Sequence, residues 1–338
     1  MPKASKPSIG IAYDLRADYL AMGYGEEETA EFDSEVTIAA LAGALSALGY
    51  EPQRIGGVRR LCERLVAGER WDCVFNFCEG LKGAAREAQV PALLEAYDLP
   101  YVFSDPLTLS LALDKALAKR VVRDCGVPTA PFAVIEKPED ASTVDLAFPL
   151  FAKPIAEGSG KGIGVHSKVN SKGELRRVAA ELMHRFDQPV LAESWLPGRE
   201  FTVGIIGTGS AAEILGVMEV LWTDKAAPHG YGYDNKEHFE DRIDYHLVDD
   251  AEAREAGQVA LAAWRALRCR DGGRIDLRST EDRQPHFIEV NPLAGLNPER
   301  SDLVFIARFQ GVSYTELIGR IMGAFHCRHP DLAPPRAD

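Results

Sequence analysis

The chain has 338 residues, more than the roughly 250 to 300 that one hydrophobic core usually supports, so we expect two or three domains. Its 38 Lys and Arg against 51 Asp and Glu give a formal charge of -13, which repels phosphate backbones and argues against a nucleic-acid partner. No apolar stretch approaches the ~18 residues of a membrane helix, and the N-terminus lacks a signal-peptide core, so we expect a cytoplasmic protein with no membrane partner. Without CxxC spacing, the six cysteines are interpreted as reduced structural thiols: Cys62, Cys73, Cys78, Cys125, Cys269 and Cys327.

The first hundred residues alternate between predicted strands and helices. Apolar periodicity and turn residues mark three strands and two helices. This alternation is typical of a parallel sheet with crossover helices, which is an α/β arrangement. The predicted strands are Ser8–Tyr13, Trp71–Phe77 and Leu99–Phe103, and the predicted helices are Ser34–Leu48 and Ala84–Tyr97.

Farther along the chain, the pattern predicts a mixed α+β body. One helix is predicted over Thr108–Cys125, where Gly126–Pro128 stops it, and the tail after Asp331 is predicted to fray. Strands dominate the prediction from Phe148 onward. The predicted strands are Leu150–Pro154, Val190–Ser194, Arg199–Ile206 and Glu213–Val220, and two closing helices are predicted at Ala251–Leu267 and Ser313–Phe325.

The segment from Gly272 to Gly295 carries the most informative polar pattern. Two short runs flank a polar turn, Ser279–Pro285, and the two-residue period of a strand puts Asp276, Glu289 and Asn291 on one face. The same period puts four apolar residues on the other face: Ile275, Leu277, Ile288 and Val290.

A turn centred near Asp282 pairs Asp276 with Glu289 across the hairpin. Paired residues have Cβ atoms about 4.5 to 5.5 Å apart, so two carboxylates held there repel unless a cation lies between them. Carboxylate and amide oxygens without Cys or His suit Mg²⁺. The alternative is a solvated hairpin in which the two carboxylates do not approach each other.

A second feature is the glycine-rich segment Lys153–Gly164, which follows a predicted strand. Alternating glycines let backbone N–H groups approach an anion and form a phosphate cradle. The segment is not a Walker loop, because Ile155 stands where the first glycine belongs and Gly162 replaces the hydroxyl residue. The GxGxxG spacing of a Rossmann dinucleotide site also fails in each frame. A glycine-rich surface hairpin remains the alternative.

Eight short segments along nearly the whole chain form a third feature: Asn76–Gly80, Ala112–Lys115, Gly126–Thr129, Phe148–Pro154, Glu157–Ser159, Glu193–Val203, Arg274–Asp276 and Glu289–Pro292. Taken together in this order, these segments resemble the ATP-grasp carboxylate-amine ligases, and most closely the D-alanine-D-alanine ligases.

The resemblance implies an ATP-grasp fold with an N-terminal Rossmann-like, or pre-ATP-grasp, parallel-sheet domain. It also implies domains at 1–104, 105–192 with the glycine-rich loop, and 193–330 with the metal hairpin, followed by a tail at 331–338. The expected partners are small molecules, ATP and amino acids, and a homodimer is the family expectation.

For the nucleotide, the resemblance assigns roles residue by residue. Asp276, Glu289 and Asn291 match the ligands of Mg²⁺, for which Mn²⁺ is an alternative. The residues that match the ATP site are Lys115 and Lys153 at the phosphates, Gly158 and Ser159 in the loop, Glu193 and the backbone near Trp195 at the adenine, Glu200 at the ribose, and Lys236 on a mobile loop over the γ-phosphate.

The implied reaction is phosphoryl transfer from ATP to a carboxylate, followed by attack of an amine on the acyl phosphate. Arg274 and the amide of Gly295 match the family's oxyanion site. Glu35 is the candidate for the glutamate that holds the donor's ammonium group. The alternative is that Glu35 only stabilises the N-terminus of its own helix, where the helix dipole favours an acid. Arg300 and Ser301 are candidates for binding an acceptor carboxylate, and the alternative is a polar loop that leads into the next strand or helix.

Three departures from the family pattern concern the substrates. A long acidic and aromatic insertion spans Asp14–Asp33, and Ala294 replaces a proline. Glu237 stands where these ligases commonly have a tyrosine linked to the loop serine, here Ser159, and His238 is the candidate to replace that tyrosine. The favoured function is a D-alanine-D-alanine ligase of peptidoglycan precursor synthesis. The alternatives are a related ligase that joins other amino acids or hydroxy acids, and a nucleotide-binding protein without turnover.

Overall fold

The computed structural model describes residues 6–224 and 239–333. These residues form three sheets with helices packed against them, and one large apolar core joins the N-terminal sheet to the C-terminal helices. In the described parts of the chain, no helix has both the length and the apolar character needed to cross a bilayer.

The N-terminal sheet has four parallel strands in the order β2-β1-β3-β4. Both faces are buried, since Ile9 and Ile11 face one core and Val74 faces another, which is typical of a parallel sheet covered by helices. The strands are β1 (Ser8–Ala12), β2 (Glu51–Arg54), β3 (Cys73–Asn76) and β4 (Tyr101–Val102), and the helices are α1 (Arg16–Ala21), α2 (Glu35–Ala47), α3 (Val58–Val66) and α4 (Gln89–Ala96).

The insertion Asp14–Asp33 is tied at its two ends. The Arg16 amide donates to the Asp33 carbonyl at 2.9 Å, and the Asp33 amide donates to the Asp14 carbonyl at 3.1 Å. Inside the insertion, the Tyr19 hydroxyl donates to the buried Asp14 carboxylate at 2.6 Å, and its ring lies 4.4 Å from that of Phe32. The insertion is therefore an anchored part of the fold.

The central sheet is antiparallel, with strand order β5-β8-β6-β7. One face packs against a helix whose N-terminus is capped by the Ser171 side chain, which accepts from the Glu174 amide. The strands are β5 (Phe132–Ile135), β6 (Leu150–Pro154), β7 (Lys168–Val169) and β8 (Val190–Ser194), and the helices are α5 (Pro106–Leu113), α6 (Lys115–Asp124) and α7 (Lys172–Phe186).

The C-terminal sheet is antiparallel, with strand order β11-β10-β9-β12-β13. Gly204 lets one covering helix approach closely, because a Cβ there would lie 3.1 Å from Leu303 and 3.3 Å from Ile306. The strands are β9 (Glu200–Ile206), β10 (Glu213–Trp222), β11 (Ile243–Leu247), β12 (Gly272–Ser279) and β13 (Pro285–Asn291), and the helices are α8 (Phe239–Arg242), α9 (Ala251–Ala266), α10 (Asp302–Phe309) and α11 (Tyr314–Arg328).

The structure confirms the alternating N-terminal pattern and corrects other predictions. The single helix predicted over Thr108–Cys125 is wrong, because Asp114 has an extended ψ of 100° and its side chain caps a new helix by accepting from the Leu117 amide. Helix α7 lies in a region predicted as mainly strand. All six cysteines are free thiols, but only Cys73, Cys78 and Cys269 are buried.

Candidate active site

The hairpin of β12 and β13 has the predicted register, with Asp276 opposite Glu289 and Arg274 opposite Asn291. A β-bulge follows, because Leu277 is paired with Phe287 and leaves one extra residue on β13. The predicted orientation of that residue, Ile288, is therefore wrong. Ile288 lines a cavity together with the two acids, whereas Ile275, Leu277 and Val290 are buried on the other face as predicted.

The Asp276 carboxylate is held by three neighbouring side chains. Arg274 donates to both of its oxygens at 2.8 and 2.6 Å, Thr202 donates at 2.9 Å, and the Asn291 amide donates at 3.1 Å. Because the amide nitrogen of Asn291 is used in this way, its oxygen is left to accept or to ligate. Glu289 lies 3.4 Å from the Lys115 ammonium. The two acids are opposite each other in the register, are 13% and 22% exposed and line one cavity, so the hairpin is not the solvated alternative.

A buried triad of charges lies behind the hairpin. Glu193 is 4% exposed and pairs with Lys119 and Lys153, each at 2.8 Å. Burial alone raises the pKa of Glu193, but the two lysines outweigh it and lower that pKa to about 2. Burial lowers the pKa of Lys119, whereas Glu193 raises that of Lys153 against the same effect of burial. The triad fixes Lys153 as a cation at the end of β6.

Beside this triad lies a cavity of about 80 Å³, which we call the narrow cavity. The Trp195 ring lies 5.8 Å from that of Phe151 and stacks under the Arg278 guanidinium at 4.3 Å. Arg278 also pairs with Glu200 at 3.4 Å. The cavity therefore combines an aromatic wall with charged groups. Its other lining residues include Lys115, Lys153, Glu157, Lys161, Glu193, Asp276 and Glu289.

The glycine-rich loop lies between the narrow cavity and a second, larger one. Ser159 and Gly160 have φ values of 51° and 71°, so the backbone turns sharply there. Gly158 leaves no room for a side chain, because a Cβ would collide with the Glu31 carboxylate. Lys161 pairs with Glu31 at 3.0 Å and also with Glu157. The insertion thus holds the loop in place.

The larger cavity, of about 290 Å³, is called the large cavity. Arg274 and Gly295 both line it, and Arg274 also pairs with Asp302 at 3.2 Å. A Cβ on Gly295 would lie 2.8 Å from the Ser301 hydroxyl, so this loop is tightly folded. Arg300 and Ser301 line the cavity as well. The structure therefore brings the predicted oxyanion and acceptor residues together.

Four carboxylates of the N-terminal region line the large cavity, and one of them, Glu31, is paired with Arg86 and Lys161. We call the other three, Asp33, Glu79 and Glu87, the acidic wall. Burial raises the pKa of Asp33 to about 7 and that of Glu87 to about 7, and it raises the pKa of Glu79 well above its ordinary range. The pattern of residues near Asn76–Gly80 gave no sign of Glu87, since no periodicity or spacing marks it.

One predicted substrate residue is misplaced. Glu35 is 59% exposed, pairs with Arg54 at 2.6 Å and lines neither cavity. The physical reason is that Glu35 opens helix α2 and its side chain reaches toward β2, whereas Asp33, two residues earlier, faces the large cavity. The predicted loop residues Lys236, Glu237 and His238 lie outside the described residues.

Several site residues were missed by sequence reasoning. Most of those outside the acidic wall form buried ion pairs between distant segments, which no local pattern reports, whereas Glu157 and Lys161 pair within one loop. Besides the acidic wall they are Glu31, Arg86, Lys119, Glu157, Lys161 and Asp302.

Comparison with known proteins decides the family. The family model described as D-ala D-ala ligase C-terminus matches residues 121–323. A D-alanine–D-alanine ligase of Bordetella petrii is 36% identical over 278 residues, which cover 80% of this chain and 81% of the relative. The chain belongs to the D-alanine–D-alanine ligase family.

Solved structures show that the fold is that of the ATP-grasp ligases. A D-alanine–D-alanine ligase from Bacillus anthracis complexed with ATP gives a TM-score of 0.72 at 20% identity, covering 97% of this chain and 99% of that one. The VanG D-Ala:D-Ser ligase from Enterococcus faecalis gives 0.72 at 19% identity, covering 95% and 99%. As a member of the D-alanine–D-alanine ligase family, the chain is an ATP-dependent ligase, and the role in peptidoglycan precursor synthesis follows from the family.

Proposed function

We propose that the chain uses ATP to activate the carboxylate of one amino acid as an acyl phosphate and joins it to the amine of a second. One observation carries this proposal: the narrow and large cavities meet at Lys115, Glu157 and Glu289, which line both. A nucleotide in the narrow cavity and a carboxylate in the large one would meet at this junction. Phosphoryl transfer asks the protein mainly for position and charge, and the junction provides both.

The nucleotide is assigned to the narrow cavity. The backbone near Trp195 would contact the adenine, and Glu200, which lines the same cavity, would accept a hydrogen bond from a ribose hydroxyl. Lys115 and Lys153 supply positive charge to the phosphates, and the amides around Gly158 and Ser159 are available as a cradle. Besides any contact with the adenine, Glu193 holds Lys153 and Lys119 in place through its two ion pairs. Lys236 stays a proposed phosphate contact.

The hairpin fits a magnesium ion, with Mn²⁺ as an alternative. Asp276 and Glu289 are opposite each other in the hairpin register, and the Asn291 side chain hydrogen-bonds to Asp276 through its nitrogen, so carboxylate and amide oxygens are brought together here. Oxygen donors suit Mg²⁺, which would supply charge neutralisation for the phosphates when bound. Glu289 also lies at the junction of the cavities, where such neutralisation is needed.

The joining step is assigned to the large cavity. Arg274 and the Gly295 amide would stabilise the oxyanion that develops as the amine attacks. Arg274 is fixed for this by Asp276 and Asp302, so little reorganisation is needed. Arg300 and Ser301 are proposed to receive the acceptor carboxylate.

D-alanine as both substrates is the assignment that the relatives' names carry to this chain. The second candidate is a ligase for other amino acids, and the acidic wall favours it, since a methyl side chain leaves such a wall without a partner. We further propose that the three regions 1–104, 105–192 and 193–330 act as domains and that the chain forms a homodimer.

The test is a panel of D- and L-amino acids with Mg-ATP, following phosphate release and product mass. The proposal predicts ATP-dependent formation of a dipeptide with at least one pair of amino acids. Turnover with D-alanine alone supports the first candidate, and silence with D-alanine but turnover with another pair supports the second. Phosphate release that no amino acid stimulates, without dipeptide, contradicts the proposal.

A further inference from the structure

Two carboxylates of the acidic wall have no direct partner among the described residues. Glu79 and Glu87 line the large cavity, and within residues 6–224 and 239–333 neither carboxylate has a hydrogen bond or ion pair. Glu87 is only 9% exposed. A nearly buried carboxylate without a direct partner is costly in its charged form and holds a proton until a cation replaces it, so this wall is suited to a cationic ligand.

The local backbone fixes both side chains. Glu79 follows strand β3, and the Gly80 amide donates to the buried Asp14 carboxylate at 2.9 Å. The chain then folds back so closely that a Cβ on Gly80, whose φ is 70°, would lie 2.6 Å from the Arg86 carbonyl oxygen. Glu87 comes next. The two carboxylates are therefore held by rigid backbone on either side of this contact.

The nearest cation is already used elsewhere. Arg86 pairs with Glu31 at 3.2 Å and donates to the Ala156 carbonyl at 2.9 Å. Lys161 is likewise paired with Glu31 and Glu157. These contacts link the insertion to the glycine-rich loop, so Arg86 and Lys161 form their ion pairs with other acids and not with Glu79 or Glu87.

A metal ion is a poor occupant for this wall. Among the described residues, no three His, Cys, Asp or Glu side chains converge closely enough to hold one. An ammonium group needs fewer converging oxygens, because three N–H donors can reach separate carboxylates. One α-ammonium can be balanced by Asp33, which also lines the cavity, and this leaves Glu79 and Glu87 for a second cation.

We propose that one of the two joined substrates is a diamino acid, of the ornithine or lysine class, whose side-chain ammonium group is received by Glu79 and Glu87. This inference rests on the proposed function, since it names a substrate of the same ligase reaction. It separates the chain from a ligase that uses alanine alone.

The electrostatics of the wall agree with a cationic ligand. Burial, mutual repulsion and the nearby acids Glu31 and Asp33 raise the pKa of Glu79, with Arg86 opposing them weakly. Burial likewise raises the pKa of Glu87, although Arg86 and Lys115 oppose it. A cation stabilises the charged carboxylates, so its binding should release protons from the wall.

The experiment compares cationic amino acids with neutral ones of matched length. Wild-type protein with Mg-ATP is given ornithine, lysine, norvaline, norleucine or alanine, in both D and L forms, each alone and paired with alanine, and kcat/KM is measured from phosphate release. The inference predicts a preference of about 100-fold or more for a cationic amino acid over its neutral counterpart, because the neutral one leaves buried carboxylates unpaired. Proton release in weak buffer should accompany binding of the cationic amino acid alone.

Two conservative variants locate the preference. Glu79→Gln and Glu87→Gln should each lower kcat/KM for the cationic substrate by about tenfold or more and leave that for the neutral one within about threefold. Glu63→Gln, on the exposed face of α3, is the matched control and should change neither.

Two outcomes overturn the inference while the proposed function stands: equal or better use of alanine, norvaline or norleucine by the wild type, or an equal loss for cationic and neutral substrates in both variants. The wild-type comparison decides even if a variant fails to fold. No dipeptide with any pair overturns the proposed function itself and the inference with it.

Discussion

Replacing Glu193 by glutamine tests the buried charge triad that holds Lys153. The side chain keeps its shape but loses its charge, so Lys119 and Lys153 are left as buried cations without a counterion. The lowering of the Glu193 pKa from its ordinary 4.5 to about 2 corresponds to about 3 kcal/mol. Breaking a buried ion pair by removing one partner costs about 3 to 5 kcal/mol, which agrees.

We therefore expect Glu193→Gln to lower the free energy of unfolding by about 3 kcal/mol at pH 7, measured by urea denaturation. Glu193 has a lowered pKa in the folded state, so its contribution is full above pH 4.5 and is lost as the pH falls toward 2. The difference between wild type and variant should shrink over that range.

The matched control is Glu139→Gln, because Glu139 forms an exposed pair with Arg176 at 3.3 Å. Exposed pairs contribute about 0 to 1 kcal/mol, so this variant should unfold almost like the wild type. A loss below about 1 kcal/mol in Glu193→Gln, or a loss equal in both variants, would refute the reasoning.

Three further predictions concern activity. Glu289→Ala should lower kcat by at least about 100-fold with little change in folding, since it removes a charge at the junction of the cavities; near-normal turnover would contradict the metal assignment. Ser159→Ala should raise the KM for the amino acid and lower kcat, each by about tenfold, and unchanged kinetics would place the reacting groups away from this loop. Glu35→Gln should leave kcat/KM within about twofold, and a large loss would show that Glu35 does reach the substrate.

The hairpin register could be predicted from the sequence because two local rules agree there. The two-residue period and the centre of the turn both pair Asp276 with Glu289, and the structure confirms that pairing. The bulge at Ile288 could not be predicted, since one extra residue leaves no mark in a short pattern. The break at Asp114 was missed because apolar periodicity continues across it while the cap acts locally.

Most of the ion pairs around the large cavity could not be predicted from the sequence. Glu31 and Arg86 pair over 55 residues, and Glu31 and Lys161 pair over 130, so only the fold brings them together. Glu35 and Asp33 differ by two positions, and a helix start between them sends one outward and the other into the cavity. Residue type alone did not distinguish them.

The central claim is that the terminal phosphate of ATP passes to the substrate's own carboxylate at the junction of the two cavities. The most direct measurement labels both carboxylate oxygens of the amino acid that the enzyme activates with ¹⁸O and analyses the released phosphate by mass spectrometry. The proposed acyl phosphate predicts that one ¹⁸O atom moves into phosphate for each dipeptide formed. Dipeptide formation with unlabelled phosphate would contradict it.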